Sequence, residues 1–201
     1  MKKLVLVGVV LIMAQLSFGQ FINGLLERTS FGIKAGGNYS NFTNADFNTS
    51  GLSGFHGGMI VNFRLTKNFS IQEEFLYSTQ GAKNKDQNIL GPKESSLRLS
   101  YMTIPIFIKY HFNDGFYAEL GTQANMLIKN IKNDELGKFA DRIDAGGMAG
   151  VGYQFRNSVL KGLGVGARYY KGFTNVGKFK SSEINSDFKN SLGQVSVFYI
   201  F

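Results

Sequence analysis

Eight stretches of this 201-residue chain alternate apolar and polar side chains with a period of two. Successive side chains of a strand point to opposite faces, so each stretch reads as a half-buried strand. They run over 31–39, 55–64, 69–80, 97–112, 116–128, 143–155, 163–170 and 195–201. In the last, Val195, Val197, Tyr199 and Phe201 share one face, and Phe201 is the final residue. A bare apolar strand in water is a sticky, unprotected edge. In lipid, a closed barrel removes that edge and gives the apolar face a matching solvent. We therefore expect an all-β, eight-stranded, antiparallel up-and-down transmembrane barrel. Its last strand should pair with the seventh and close onto the first, with Val195, Val197, Tyr199 and Phe201 facing lipid.

The connections support this reading. Those at 65–68, 113–115 and 156–162 are short, whereas those at about 40–54, 81–96, 129–142 and 171–190 are long. Short turns on one side and long loops on the other are the pattern of outer-membrane barrels, with the turns periplasmic and four long loops external. An even strand count then puts both mature termini in the periplasm.

The N-terminus fits export. Met1-Lys2-Lys3 is a basic start, Leu4 to Ala14 is apolar, and Ser17-Phe18-Gly19 offers small residues for cleavage before Gln20. The apolar run is too short to span a bilayer, so residues 1–19 read as a secretory signal peptide rather than an anchor or a buried core helix. Residues 20–30 form a short periplasmic segment. Phe21, Ile22, Leu25 and Leu26 make either one helical turn at the barrel mouth or part of an unstructured leader. The barrel domain is expected over 31–201.

Alternation does not say which face is inside. A lipocalin-type barrel is apolar within, and a membrane barrel is the reverse. Three observations favour the membrane. Arg64, Lys109 and Arg168 share the polar phase with Glu74, Glu119 and Asp144, so they can pair within a narrow lumen where a lone charge is costly. The polar phase of the sixth and seventh strands is rich in glycine, as crowding demands. Phe and Tyr gather near strand ends, as interfacial girdles require. We read the six charges as a structural network that fills the lumen, because an eight-stranded barrel is only wide enough to be filled by side chains.

The fourth strand carries an irregularity. Leu97, Leu99 and Tyr101 lie in one phase, and Ile106, Ile108, Tyr110 and Phe112 in the other. Proline in sheets belongs at edges and bulges, so a bulge is expected at Pro105. Glu73 also falls on the apolar phase of the third strand, at a membrane boundary or beside a further bulge.

The ordered stretches Gly32-Ile33-Lys34-Ala35-Gly36-Gly37-Asn38-Tyr39-Ser40, Gln72-Glu73-Glu74-Phe75-Leu76-Tyr77-Ser78-Thr79-Gln80-Gly81 and Tyr101-Met102-Thr103-Ile104-Pro105 carry a family resemblance. So do Gly150-Val151-Gly152-Tyr153, Gly166-Ala167-Arg168-Tyr169-Tyr170-Lys171-Gly172 and the terminal aromatic strand. Together they resemble the PorT-type outer-membrane β-barrel domain family of Bacteroidetes-like bacteria. The resemblance implies an eight-stranded barrel, and for some members a link to gliding and type IX secretion. It also implies that the terminal Phe201 is read by the barrel assembly machinery during insertion.

Function classes narrow by exclusion. The chain has no cysteine, so disulfides, thiol nucleophiles and zinc–thiolate sites are out. No His pair or loop pattern suggests a metal, and no cofactor motif is present. The net charge of +8 includes two lysines of the signal peptide. Export argues against nucleic acid. Lysine-rich external loops would face lipopolysaccharide phosphates, or be ordinary solvated charge. His56 and His111 should lie at opposite ends of the barrel. Catalysis would rest on His56 with a loop residue such as Ser53, or with Asp144, and no spacing supports it. The expected role is a non-enzymatic outer-membrane protein whose loops contact lipopolysaccharide or a partner. A secretion or assembly accessory is the alternative, and a lipid-modifying enzyme a more distant one.

Overall fold

The computed structural model describes residues 24, 27–43, 49–85, 96–130, 143–156, 159–176 and 188–201. Eight strands form one closed barrel: β1 (Thr29–Thr43), β2 (Thr49–Arg64), β3 (Phe69–Asn84), β4 (Ser96–His111), β5 (Phe116–Asn130), β6 (Ile143–Gln154), β7 (Leu163–Gly172) and β8 (Lys189–Ile200). Each pairs antiparallel with its sequence neighbours. Closure comes from β1 against β8, in register from Gly32↔Ile200 to Thr43↔Lys189. The terminal strand thus has a partner on each side, and Phe201 adds one backbone bond to the carbonyl of Phe31. The expected signal peptide and the helical turn at 20–30 lie outside the described residues, apart from Gly24 and residues 27–30. Thr29 and Ser30 already belong to β1.

Several strands are longer than the hydrophobic alternation predicts. β1 continues through Ser40-Asn41-Phe42-Thr43, and β2 begins at Thr49, so the connection expected over 40–54 narrows to 44–48. Alternation marks only the band that needs an apolar outer face. A barrel can rise above that band on polar residues, because ladder hydrogen bonds do not depend on side-chain hydrophobicity.

Alternation also decides what faces in. On the outside, Met59, Ile108, Leu120, Val151 and Val195 are exposed. Aromatic pairs ring the end with the short turns: Phe69–Tyr110 (5.0 Å between centroids), Phe116–Tyr153 (4.9 Å) and Tyr199–Phe201 (5.5 Å). At the other end of the belt Phe55 stacks with Tyr77 at 5.8 Å. Val195, Val197, Tyr199 and Phe201 all point outward, between 40% and 72% exposed.

The bulge expected at Pro105 is not where the register shifts. On the β3 side, Glu73↔Ile106 and Leu76↔Thr103 keep one register past the proline, and on the β5 side Pro105 sits opposite Gln123. The shift between β4 and β5 falls instead at Ser100/Tyr101, where Lys129 and Leu127 are the successive partners and Ile128 is the extra residue. The phase of β4 does not flip. Leu99 and Tyr101 point inward with Pro105, Phe107 and Lys109, all buried. The apparent switch arose because the interior is itself apolar in places. Pro105 lacks an N–H, and the β3–β4 ladder skips Ile104 and Pro105 without changing register. Glu73 faces outward between Val61 and Ile106, with no shift of register beside it.

Candidate functional site

The barrel interior holds the densest chemistry. Arg168 on β7 reaches across to two carboxylates on β3 and β5. Its Nη1 and Nη2 each donate to Glu74 at 2.7 Å, one to each carboxylate oxygen. Its Nε donates to Glu119 Oε1, and Nη2 also reaches Glu119 Oε2 at 3.2 Å. Such fork-to-carboxylate geometry is the strongest ion-pair arrangement that side chains offer. Lys34 on β1 donates to Glu74 at 3.2 Å, and Lys109 on β4 lies 3.4 Å from Glu119. Gln72 links the halves, donating to Glu74 and accepting from Lys109 at 3.1 Å. All six side chains are buried.

Aromatic rings complete the shell. The Lys109 ammonium lies 3.7 Å from the centroid of Tyr117, and the Arg168 guanidinium 4.2 Å from that of Phe107. Both are cation–π distances. Glycines make room. A Cβ on Gly150 would stand 2.7 Å from Arg168 Cγ and 2.8 Å from Glu119 Oε1, and one on Gly152 would collide with the Tyr117 hydroxyl.

Of the six charges expected to pair, the structure joins Glu74, Lys109, Glu119 and Arg168. It adds Lys34, which lies on the polar face of β1. Asp144 is elsewhere. It accepts from the Tyr170 hydroxyl at 3.0 Å, Asn125 Nδ2 at 3.0 Å, the Thr174 hydroxyl at 3.3 Å and Asn190 Nδ2 at 3.5 Å, with no cation among the described residues. A buried carboxylate fully solvated by neutral donors is a stable alternative to an ion pair. Phe107, Met148, Tyr170 and Leu192 pack together between the two polar regions: Phe107 touches Arg168 and Tyr170 bonds Asp144. Arg64 leaves the network altogether. It is exposed at the end of β2, at the short-turn mouth, separated from the network by Ile60, Tyr117 and Phe198.

The two histidines are likewise held apart. His111 ends β4 at the short-turn mouth, its Nε2 2.9 Å from the Ser70 hydroxyl. His56 is buried in the wall opposite Gly36 and Ser78. Its Nδ1 is 2.6 Å from Asn38 Oδ1 and its Nε2 2.9 Å from Ser196 Oγ. Neither Ser53 nor Asp144 is its partner. Ser196 escaped notice because pairing across the β1–β8 seam carries no local sequence signal. The Asn–His–Ser chain has the order of a hydrolytic triad, but Ser196 is 3% exposed. A nucleophile must meet substrate, so this chain reads as a strut across the closing seam.

A closed antiparallel barrel, apolar and aromatic outside, polar and filled inside, is an outer-membrane β-barrel protein. The chain belongs to the family described as outer membrane protein beta-barrel domain, whose model matches residues 13–178. No curated protein matches it. Among solved structures it is similar to Neisserial surface protein A, at 14% identity and a TM-score of 0.54, over 86% of this chain and 99% of that one. OprG from Pseudomonas aeruginosa aligns at 11% identity and a TM-score of 0.48, over 86% and 95% of the two chains. Ail of Yersinia pestis aligns at 14% and 0.45, over 87% and 99%. The first of these shares the fold.

Proposed function

We propose that this protein is a non-enzymatic outer-membrane anchor that presents its long loops at the cell surface, where they contact lipopolysaccharide or a partner protein. The observation that carries the reading is Arg168 bridging Glu74 and Glu119 across the lumen. Side chains from β1, β3, β4, β5 and β7 meet there, so the interior is a plug and function is left to the loops. In this reading residues 1–19 are a cleavable signal peptide, both mature termini are periplasmic, and Phe201 assists recognition by the barrel assembly machinery. Neither a cofactor nor a metal is required.

Orientation is tested on intact cells. An epitope inserted at 131–142 or 177–187 should be labelled from outside, whereas one in the turn at 65–68 should not. Labelling of the turn alone would overturn the topology. The resemblance to PorT-type barrels supports a second reading, an accessory of type IX-like secretion. Under that reading the barrel co-purifies with secretion components from outer membranes, and its deletion lowers export of their cargo. Normal export with no co-purifying protein would sink it.

A further inference from the structure

At the short-turn mouth a cavity of about 300 Å³ is lined by Arg64, Lys67, Arg156, Lys161, His111 and Asn62, among others, none of them acidic. The four cations come from three segments: the end of β2, the β2–β3 turn, and the β6–β7 connection. None forms an ion pair with a described residue. His111 Nδ1 is buried and without a partner, while its Nε2 is engaged by Ser70. The charges beyond the Ile60–Tyr117–Phe198 layer do not offset this field. Lys34, Lys109 and Arg168 are balanced there by Glu74, Glu119 and the more distant Asp144, so the interior adds no net negative charge.

We propose that this mouth is an anion-binding site that takes a phosphate-bearing group. A concave site of one sign with low-dielectric walls concentrates counter-charge. Two guanidiniums, Arg64 and Arg156, supply planar forks that match phosphate oxygens, while Lys67 and Lys161 add point charges from the rim. The His111 ring, held by Ser70, completes the cavity wall. Phe155 also lines the cavity and stacks at 5.1 Å on Tyr153, part of the aromatic ring around that end. Such rings sit at headgroup depth. A phosphate group can therefore arrive either on a soluble anion or on a lipid headgroup of the adjoining leaflet. The site is independent of the role assigned to the long loops.

The test uses the refolded protein in phosphatidylcholine vesicles, with inorganic pyrophosphate as probe, followed by calorimetry at low salt. Saturable binding is expected. Arg64→Gln with Arg156→Gln should weaken it by about tenfold or more, as loss of two charge-assisted forks requires. Lys67→Gln with Lys161→Gln, confined to the connections, should weaken it too, and keeps the test open if the arginine pair fails to fold. Lys171→Gln, at the opposite end of β7, should leave it unchanged. Repeating the titration with phosphatidylglycerol in the vesicles separates the sources. Competition identifies the headgroup, undiminished binding identifies the soluble anion, and either supports the site. No saturable binding, equal binding by both double variants, or an equal loss from Lys171→Gln would overturn it.

Discussion

The interior network and the short-turn mouth are built from the same kinds of side chain under opposite conditions. In the network every charge touches its opposite. Glu74 receives Arg168 and Lys34, Glu119 receives Arg168 and Lys109, and all of them are buried. At the mouth Arg64, Lys67, Arg156 and Lys161 face one cavity with no carboxylate in its lining. Buried charges must be paired or, like Asp144, fully hydrogen-bonded because desolvation is costly, whereas exposed like charges are tolerated because water screens them. The network is therefore spent on the fold, and the mouth retains unspent attraction for an anion. Substitutions should separate the two regions by their effect on stability.

The largest effect is expected from Arg168→Met. It removes the fork shared by both carboxylates and leaves each with a single lysine, Lys34 on Glu74 and Lys109 on Glu119. Losing several buried charge-assisted hydrogen bonds costs about 3 kcal/mol. The measurement is urea unfolding in vesicles, followed by the gel mobility of the folded band, since the chain has no tryptophan to report on it. A loss below about 1 kcal/mol, the ordinary value of an exposed pair, would mean that the network is wetter than its burial implies.

The contrast between the regions also explains what could be read from the sequence. Period-two alternation placed all eight strands and the inward phase of Glu74, Lys109, Glu119 and Arg168, because facing is a local property of a strand. Which inward residues meet is not local. It depends on the stagger of the sheet, which is fixed only on closure. Arg64 shares a phase with Glu74, yet lies a full layer nearer the mouth, and Asp144 lies on the far side of the Phe107–Tyr170 cluster. Lys34 was visible on the polar face of β1, but its meeting with Glu74, two strands away, was not. Pro105 misled for a related reason. Leu99 and Tyr101 lie out of phase with Ile106 and Ile108, which points to a bulge only if every apolar residue faces out, and the lumen has apolar layers of its own.

Gly150→Ala probes the network from its wall. The added methyl meets Arg168 Cγ and Glu119 Oε1 well inside ordinary contact, alongside the backbone oxygen of Ala167. Overpacking of this kind costs about 1–3 kcal/mol. Gly37→Ala is the control: it faces outward on β1, with no heavy atom within 4 Å of the new Cβ. It should leave the unfolding midpoint unchanged or raise it slightly, because strand glycines carry an entropic cost. If Gly150→Ala were as silent as Gly37→Ala, the guanidinium would have room to move, and the plug would be loose rather than packed.

The smallest effect is the one that most sharpens the comparison. Arg64→Gln combined with Arg156→Gln removes two charges of the same kind as Arg168, but from a mouth where they repel each other and satisfy no carboxylate. Substitutions at such sites shift stability by about 0.5 kcal/mol or less. Relief of like-charge repulsion acts in the stabilising direction and fades as salt screens it. The unfolding midpoint of the double variant should therefore match or slightly exceed that of the parent at low salt and converge with it at high salt. A destabilisation approaching that of Arg168→Met would show that these arginines hold the barrel together through partners beyond the described residues, and the mouth would then belong with the network rather than against it.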